Sequence, residues 1–494
     1  MVCKARVVEC SIFVVLAMCY FSNHANGFCS SDFDNDDEYP YKYYQTKTLY
    51  TTTRGDISHT DRPKNCTPER IAILFRHGSR HPGEDEADIF ESFVELAKKV
   101  NSTGNAEMCQ KDLQKIQKWK NWHVPSLHKD LAVTGVQELQ GLAQRFSKTF
   151  PEIFSGENLD STKHRFISSN TRRTTQSADA FINRLYLNST KTRPTVEIND
   201  ELIKFYDYCK KYLREIDNND TVTEDVDTFM EGPIITRIAD MVAQRLGIPR
   251  NDITNELVDE IRKEGCAEEE WVTGQDSVWC KAFTKEDLQA FEYGEDMDDY
   301  LEKSFGHKIN HRQSCKLKDL IVSFLKESLP DENNKDNIGL FGFGHSTTMM
   351  SLLTEMRLIR DEGRLGSDEY PEKRTRTFRA SIYTPGAANI AFVVYKCAEN
   401  ERKIQIFLNE KLIRMPLDHP TNDPDGLWDL EESVQYFHGY DTCNWDDICE
   451  NEEQILPTVT SQTTENRASI SIGVVVLVVS ILLLVLVGAF VMIL

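Results

Sequence analysis

The chain of 494 residues is poor in proline (16) and glycine (24) and shows no internal repeat, which speaks against a collagen-like or low-complexity protein. It is also short of positive charge. Its 57 Lys and Arg stand against 79 Asp and Glu, a net of −22 at pH 7, and nonspecific nucleic-acid binding rests mainly on cations that neutralise phosphates. Any anionic ligand must therefore meet a local basic pocket. No two cysteines are spaced CxxC, which speaks against a zinc site. Long hydrophobic runs are missing from the body of the chain, so a polytopic membrane protein is excluded. With 28% charged and 40% hydrophobic residues, what remains is folded protein of ordinary composition.

The two ends depart from that pattern. Residues 1–27 place Lys4 and Arg6 before an apolar stretch and end Ala25-Asn26-Gly27, the layout of a secretory signal peptide. Residues 470–494 form an almost wholly apolar tail, and at about 1.5 Å per residue the part from Ile472 onward is long enough to cross a bilayer core of about 30 Å. No Lys or Arg follows it. With the polar, Thr-rich stalk at 451–469, the tail reads as the signal for a glycosylphosphatidylinositol (GPI) anchor, with a transmembrane helix as the alternative. The expected location is the secretory pathway and the extracellular face of the cell membrane, or the lumen of the endoplasmic reticulum. Cysteines agree: three of the 13 fall in the signal and the even set of ten that remains suggests disulfides. Spacing gives weak support to Cys443–Cys449 and Cys266–Cys280 as local loops, and the rest stays open. Asn65, Asn101, Asn188 and Asn219 stand in glycosylation sequons.

Between the ends, residues 28–61 are acidic and Tyr-rich and read as an irregular arm. Apolar runs at 70–75, 165–169, 338–343, 389–395 and 403–408 read as strands, and 88–100, 131–149 and 177–185 carry helical spacing. From about 200 to 335 helix-like segments dominate. The expected fold class is α/β: one domain over 62–450, with a mainly helical insertion at about 200–335.

Chemistry concentrates in three loops. Arg76-His77-Gly78-Ser79-Arg80-His81-Pro82 leaves the first strand and offers a nitrogen nucleophile beside guanidinium groups that match phosphate oxygens. Gly342-Phe343-Gly344-His345-Ser346-Thr347 leaves another strand and opens a helix, which sets His345 near N–H groups that favour anions. Ser169-Asn170-Thr171-Arg172-Arg173-Thr174 brings two arginines to a helix start.

These motifs resemble the histidine acid phosphatases. Arg-His-Gly-x-Arg-x-Pro at 76–82 is that family's signature, and Arg173-Thr174-x-x-Ser177-Ala178 is similar to its second phosphate-binding element. Phe205-Tyr206-Asp207-Tyr208-Cys209, Gly306-His307-Lys308-Ile309-Asn310 and Leu408-Asn409-Glu410 resemble the branch of multiple inositol polyphosphate phosphatases. The resemblance spans about 62–450. It implies a histidine-phosphatase-like α/β core with a helical subdomain. The implied activity is hydrolysis of inositol polyphosphates, and of 2,3-bisphosphoglycerate, without metal or other cofactor. It further implies His77 as the nucleophile that becomes phosphohistidine, Arg76, Arg80 and Arg173 as phosphate ligands with Arg172 as the rival for the third, and His345 as a further ligand.

One departure stands out. The family follows its second His with an acid, and here Ser346-Thr347 follows His345, so Thr347 marks the position of a missing proton donor. Glu355 and His81 are the substitutes the sequence offers, the first about two helical turns too far along and the second expected to face solvent. A catalytically weak or inactive surface protein that binds inositol phosphates is the alternative reading.

Overall fold

A computed structural model describes residues 42–60, 62–100, 106–187, 189–329, 337–439 and 442–450. The expected signal peptide, stalk and tail, with Asn101 and Asn188, lie outside the described residues. Among the described residues no helix is long and apolar enough to cross a membrane.

Among the described residues eight strands form one sheet: β1 (Thr67–Arg76), β2 (His164–Ser168), β3 (Val196–Ile198), β4 (Gly339–Gly344), β5 (Asn389–Lys396), β6 (Arg402–Leu408), β7 (Lys411–Ile413) and β8 (Trp428–Asp429). The order is β3-β2-β4-β1-β5-β6-β7, with β8 paired to β6. The first four strands of that order run parallel, and β5 turns the sheet antiparallel. The middle of the sheet is covered on both faces, which is why β1 and β4 read as continuous apolar runs rather than alternating ones. Ile71, Ile73 and Phe75 of β1 enter one core, and Ala72 and Leu74 enter the other.

Among the longer helices are α1 (Glu84–Lys99), α2 (Val133–Thr149), α3 (Arg172–Leu185), α4 (Glu224–Met230), α5 (Pro233–Leu246), α6 (Lys285–Lys303), α7 (Cys315–Lys326) and α8 (Ser346–Glu355). On the Phe75 face, α2 buries Leu139, Leu142, Ala143 and Phe146, a stripe at helical spacing, and α3 adds Phe181. Phe75 stacks on Phe343 at 5.0 Å between centroids and Phe166 on Phe341 at 4.7 Å. On the other face lie α7 and α8 together with the helical stretch from residue 200 to 329, in which the described residues form no strand.

The arm and one disulfide differ from expectation. Residues 42–60 form short helical turns and bury Tyr43, Tyr44, Tyr50 and Ile57, and the phenols of Tyr44 and Tyr50 find partners inside. Tyr50 donates to Glu410 at 2.8 Å, and Glu410 takes two hydrogen bonds from Arg145. Cys66–Cys397, Cys209–Cys449, Cys266–Cys280 and Cys315–Cys443 are bonded, and Cys109 is disulfide-bonded as well. The local loop Cys443–Cys449 is therefore not formed: both cysteines reach back into the helical stretch, while Cys266–Cys280 pairs as its spacing suggested.

Truncating Phe341→Ala, at the centre of the aromatic stack, should cost about 3–5 kcal/mol. Chemical denaturation of the purified chain checks this, and a loss below about 1 kcal/mol would contradict the packing described.

Candidate active site

Three loops meet because three parallel strands end level with one another. The β1–β4 register sets Arg76 against Gly344, and the β2–β4 register sets Ser168 against Phe343. Hydrogen bonds continue the ladder one residue further: His77 N donates to Gly344 O at 3.0 Å and Ser169 N to Phe343 O at 3.2 Å. His77, Ser169 and His345 thus stand side by side at the carboxyl ends of three interior strands. The first loop also needs glycine, since a Cβ on Gly78 would come within 2.7 Å of the Gly135 carbonyl oxygen on α2. Ser177 of α3 accepts from Gly78 N at 3.1 Å and donates to Arg173 O at 2.7 Å, tying this loop to the arginine loop.

His77 is almost fully buried, and its Nδ1 lies 2.8 Å from Gly78 O. A carbonyl can only accept, so Nδ1 carries the hydrogen and the lone pair sits on Nε2. Burial, followed by the charges of Arg76, His345 and Arg173, holds this imidazole well below its ordinary pKa and therefore neutral. The His345 ring lies 5.5 Å away, edge-on. Its Nδ1 faces Arg173 Nη2 at 3.3 Å and its Nε2 faces Ser169 Oγ at 3.0 Å. Arginine can only donate, so Nδ1 accepts and Nε2–H points to the serine.

The cations are arranged around the histidines. Arg76 is buried, donates to Thr46 O and, at 2.6 Å, to Thr384 O, and lies 5.5 Å over the Trp271 ring. Burial and then the charge of Arg80 depress its pKa. Arg173 is depressed in the same way, by burial and then by Arg80, and its Nε has no hydrogen-bond partner. Guanidinium groups this close repel one another, and a bound anion would relieve that repulsion. Arg80 differs, because Glu86 holds it through two hydrogen bonds at 2.8 and 3.0 Å. Glu86, Glu264 and Glu268 gather closely enough to hold a cation, but Lys47 Nζ already stands among them at 3.9, 2.6 and 3.5 Å. The lysine fills the place a metal ion would take.

Two guanidinium loops and two histidines at parallel strand ends, with a free Nε2, are equipped for phosphoryl transfer, and comparison with known proteins agrees. Residues 69–409 match the family described as the histidine phosphatase superfamily, branch 2. The chain belongs to that superfamily. It is a phosphoric monoester hydrolase by class. Multiple inositol polyphosphate phosphatase 1 of Homo sapiens is 28% identical, the match covering 77% of this chain and 83% of the relative. Among solved structures, the phytase from D. castellii gives a TM-score of 0.66 at 21% identity, covering 83% of this chain and 86% of that one. The Bifidobacterium longum multiple inositol polyphosphate phosphatase in complex with inositol hexasulfate gives 0.57 at 16% identity, covering 82% and 99%. At these identities the two structures show the α/β fold.

The sequence-derived residues separate in space. His77, His345, Arg76 and Arg173 come together, with Arg80 beside them. Arg172 points outward and pairs with Asp130 at 2.6 Å. His81 is half-buried near Asp130 and His123, in the fields of both. Thr347 is half-buried in the first turn of α8. Glu355, at the far end of α8, is held by His311 at 2.8 Å, Arg312 at 2.7 Å and Lys318 at 3.2 Å, none of which belongs to the arginine or histidine loops. Asn65 is exposed, and Asn219 is half-buried with its amide donating to Glu215 O at 3.1 Å.

Sequence reasoning missed Lys47, Glu86, Glu138 and Glu268. Only Glu86 left a trace, as a carboxylate in the first turn of a helix six residues after Arg80. Glu138 accepts from Ser79 N at 2.9 Å and from its hydroxyl at 3.1 Å, bracing the loop from behind. A cavity of about 620 Å³ reaches the site at Thr46 and Ser346 and carries more carboxylates than ammonium groups.

Burial raises the Glu138 pKa to about 7 against the help of Ser79. A raised carboxyl stabilises the fold fully below its unfolded value near 4.5, and that contribution is lost as pH rises through about 7. Glu138→Gln should therefore gain stability relative to the parent between pH 4.5 and 8, by up to about 3 kcal/mol. Parallel thermal melts across that range check the sign, and a constant difference would refute it.

Proposed function

We propose that this protein is a phosphomonoesterase acting on inositol polyphosphates through a phosphohistidine intermediate on His77 Nε2. The observation that carries the reading is the fixed tautomer of His77: neutral, with Nδ1–H tied to Gly78 O and Nε2 free beside Arg76, Arg173 and His345. The names of the relatives support the substrate class. In this reading Arg76, Arg80 and Arg173 bind the equatorial oxygens of the transferring phosphoryl group, where fixed positive charge provides the largest catalytic effect. His345 gains a proton in the field of the bound dianion and becomes a further donor. Water then hydrolyses the phosphohistidine.

A second reading, a phosphate-binding surface protein of weak turnover, draws on Ser346-Thr347, where no acid stands to protonate the leaving oxygen. Phosphate release separates the two. The purified chain should liberate phosphate from inositol hexakisphosphate between acidic and neutral pH, and His77→Ala should not. Equal inertness of both proteins would remove the enzymatic reading. An inositol monophosphate is offered alongside, because the adjoining cavity is rich in carboxylates.

For location we propose display at the extracellular face through a lipid anchor, supported by the disulfides, which persist in oxidising compartments. Phosphatidylinositol-specific phospholipase C should release the protein from intact cells. Retention, with residues 470–494 detected by mass spectrometry, would favour the transmembrane alternative.

A further inference from the structure

The reaction proposed above leaves an alkoxide on the departing inositol, and no acid follows His345. A substitute must be a carboxyl that touches the phosphate-binding cations and is reachable from solvent. Glu355 fails both conditions, being paired with His311, Arg312 and Lys318 and only 4% exposed. Glu264 and Glu268 are 10% and 0% exposed, while Glu86 is 22% exposed. Glu86 also bonds Arg80 through both oxygens, and its charge reaches Arg173.

We propose that Glu86 is the proton donor of this phosphatase, standing in for the acid absent at Ser346-Thr347. The proposal rests on the phosphohistidine reading and adds a residue to it. In the free site Glu86 faces Arg80, Lys47, Glu264, Glu268, the field of Arg173 and His123. Burial pushes its pKa up, but the Arg80 hydrogen bonds and Lys47 outweigh burial and hold it well below the carboxylate range. Phosphate binding reverses that balance. The substrate oxygens take the guanidinium donors of Arg80, and a dianion becomes the neighbour of Glu86, so both changes favour the protonated carboxyl. A proton is at hand in Glu268, whose pKa burial and the neighbouring Glu264 carboxyl raise well above the ordinary value although Lys47 and Arg80 each stand 3.5 Å away. Its carboxylate lies within 4.8 Å of those of Glu86 and Glu264.

The first step then balances. His77 Nε2 forms the N–P bond, the P–O bond to the alcohol breaks, and the Glu86 proton passes to the leaving oxygen. In the second, water attacks phosphorus, its proton goes to the Glu86 carboxylate, and the N–P bond returns its electrons to His77.

The test uses two esters with the full chain. p-Nitrophenyl phosphate has an acidic leaving group that needs little protonation, whereas glycerol 2-phosphate leaves as a basic alkoxide. Glu86→Gln should lower kcat on glycerol 2-phosphate about 100-fold or more and on p-nitrophenyl phosphate less than tenfold. Adding Thr347→Glu to Glu86→Gln should restore much of the alkyl-ester rate, since it puts an acid where the family carries one. Equal losses on both esters would mean that Glu86 merely positions Arg80, and no loss would exclude any role; either result overturns the proposal. If the glutamine variant fails to fold, Glu86→Asp replaces it and should retain a larger fraction of its rate on p-nitrophenyl phosphate than on the alkyl ester, with an equal retention overturning the idea. A wild type inert on both esters would overturn the phosphomonoesterase reading itself, a different result from an active wild type whose variant loses both rates equally.

Discussion

The level ends of β1, β4 and β2 are the constraint on which the rest of the site depends. Parallel pairing fixes which residues stand side by side, and here it places Arg76 beside Gly344 and Phe343 beside Ser168. A slip of one residue would turn alternate side chains to the opposite face and separate the two histidines. The register is held by cores on both faces: Phe75, Phe343 and Phe181 on one, Ala72 and Leu74 against the helical stretch on the other. Packing energy spent on the sheet is thus what keeps His77 and His345 at 5.5 Å.

Charge is arranged at two scales. The chain as a whole is acidic, and the cavity next to the site shares that character. At the strand ends, buried Arg76 and half-buried Arg173 have no carboxylate in ion-pair contact among the described residues, while Arg80 and Lys47 are matched by Glu86, Glu264 and Glu268. Salt screens the distant field beyond about 8 Å, so a polyanion is repelled only weakly on approach and meets unbalanced positive charge at contact. Burial is what makes that charge effective, because water is not there to weaken it.

Much of this was legible in the sequence. Five strands and the helices after them were marked by apolar runs and periodicity, and the two histidine loops by glycine and arginine at strand exits. The rest was hidden for identifiable reasons. The arm looked irregular because tyrosine is compatible with either a surface or a core, and only the partners of Tyr44 and Tyr50 decide which. Cys443 and Cys449 sit six residues apart, yet bond to residues 128 and 240 positions away, since spacing says nothing of tertiary approach. Lys47 and Glu268 carry no motif. They meet because the arm and the helical segment Ile261–Glu268 pack against the first loop, which is a property of the fold.

The two cysteines near residue 450 have a mechanical consequence. Cys443 and Cys449 are bonded to Cys315 and Cys209, both in the helical stretch between β3 and β4. Tension applied to the chain beyond residue 450 is therefore shunted through covalent bonds into that stretch. The sheet lies off the load path, and the strand ends that carry His77 and His345 stay in register under a pull that would peel an unstapled terminal helix away.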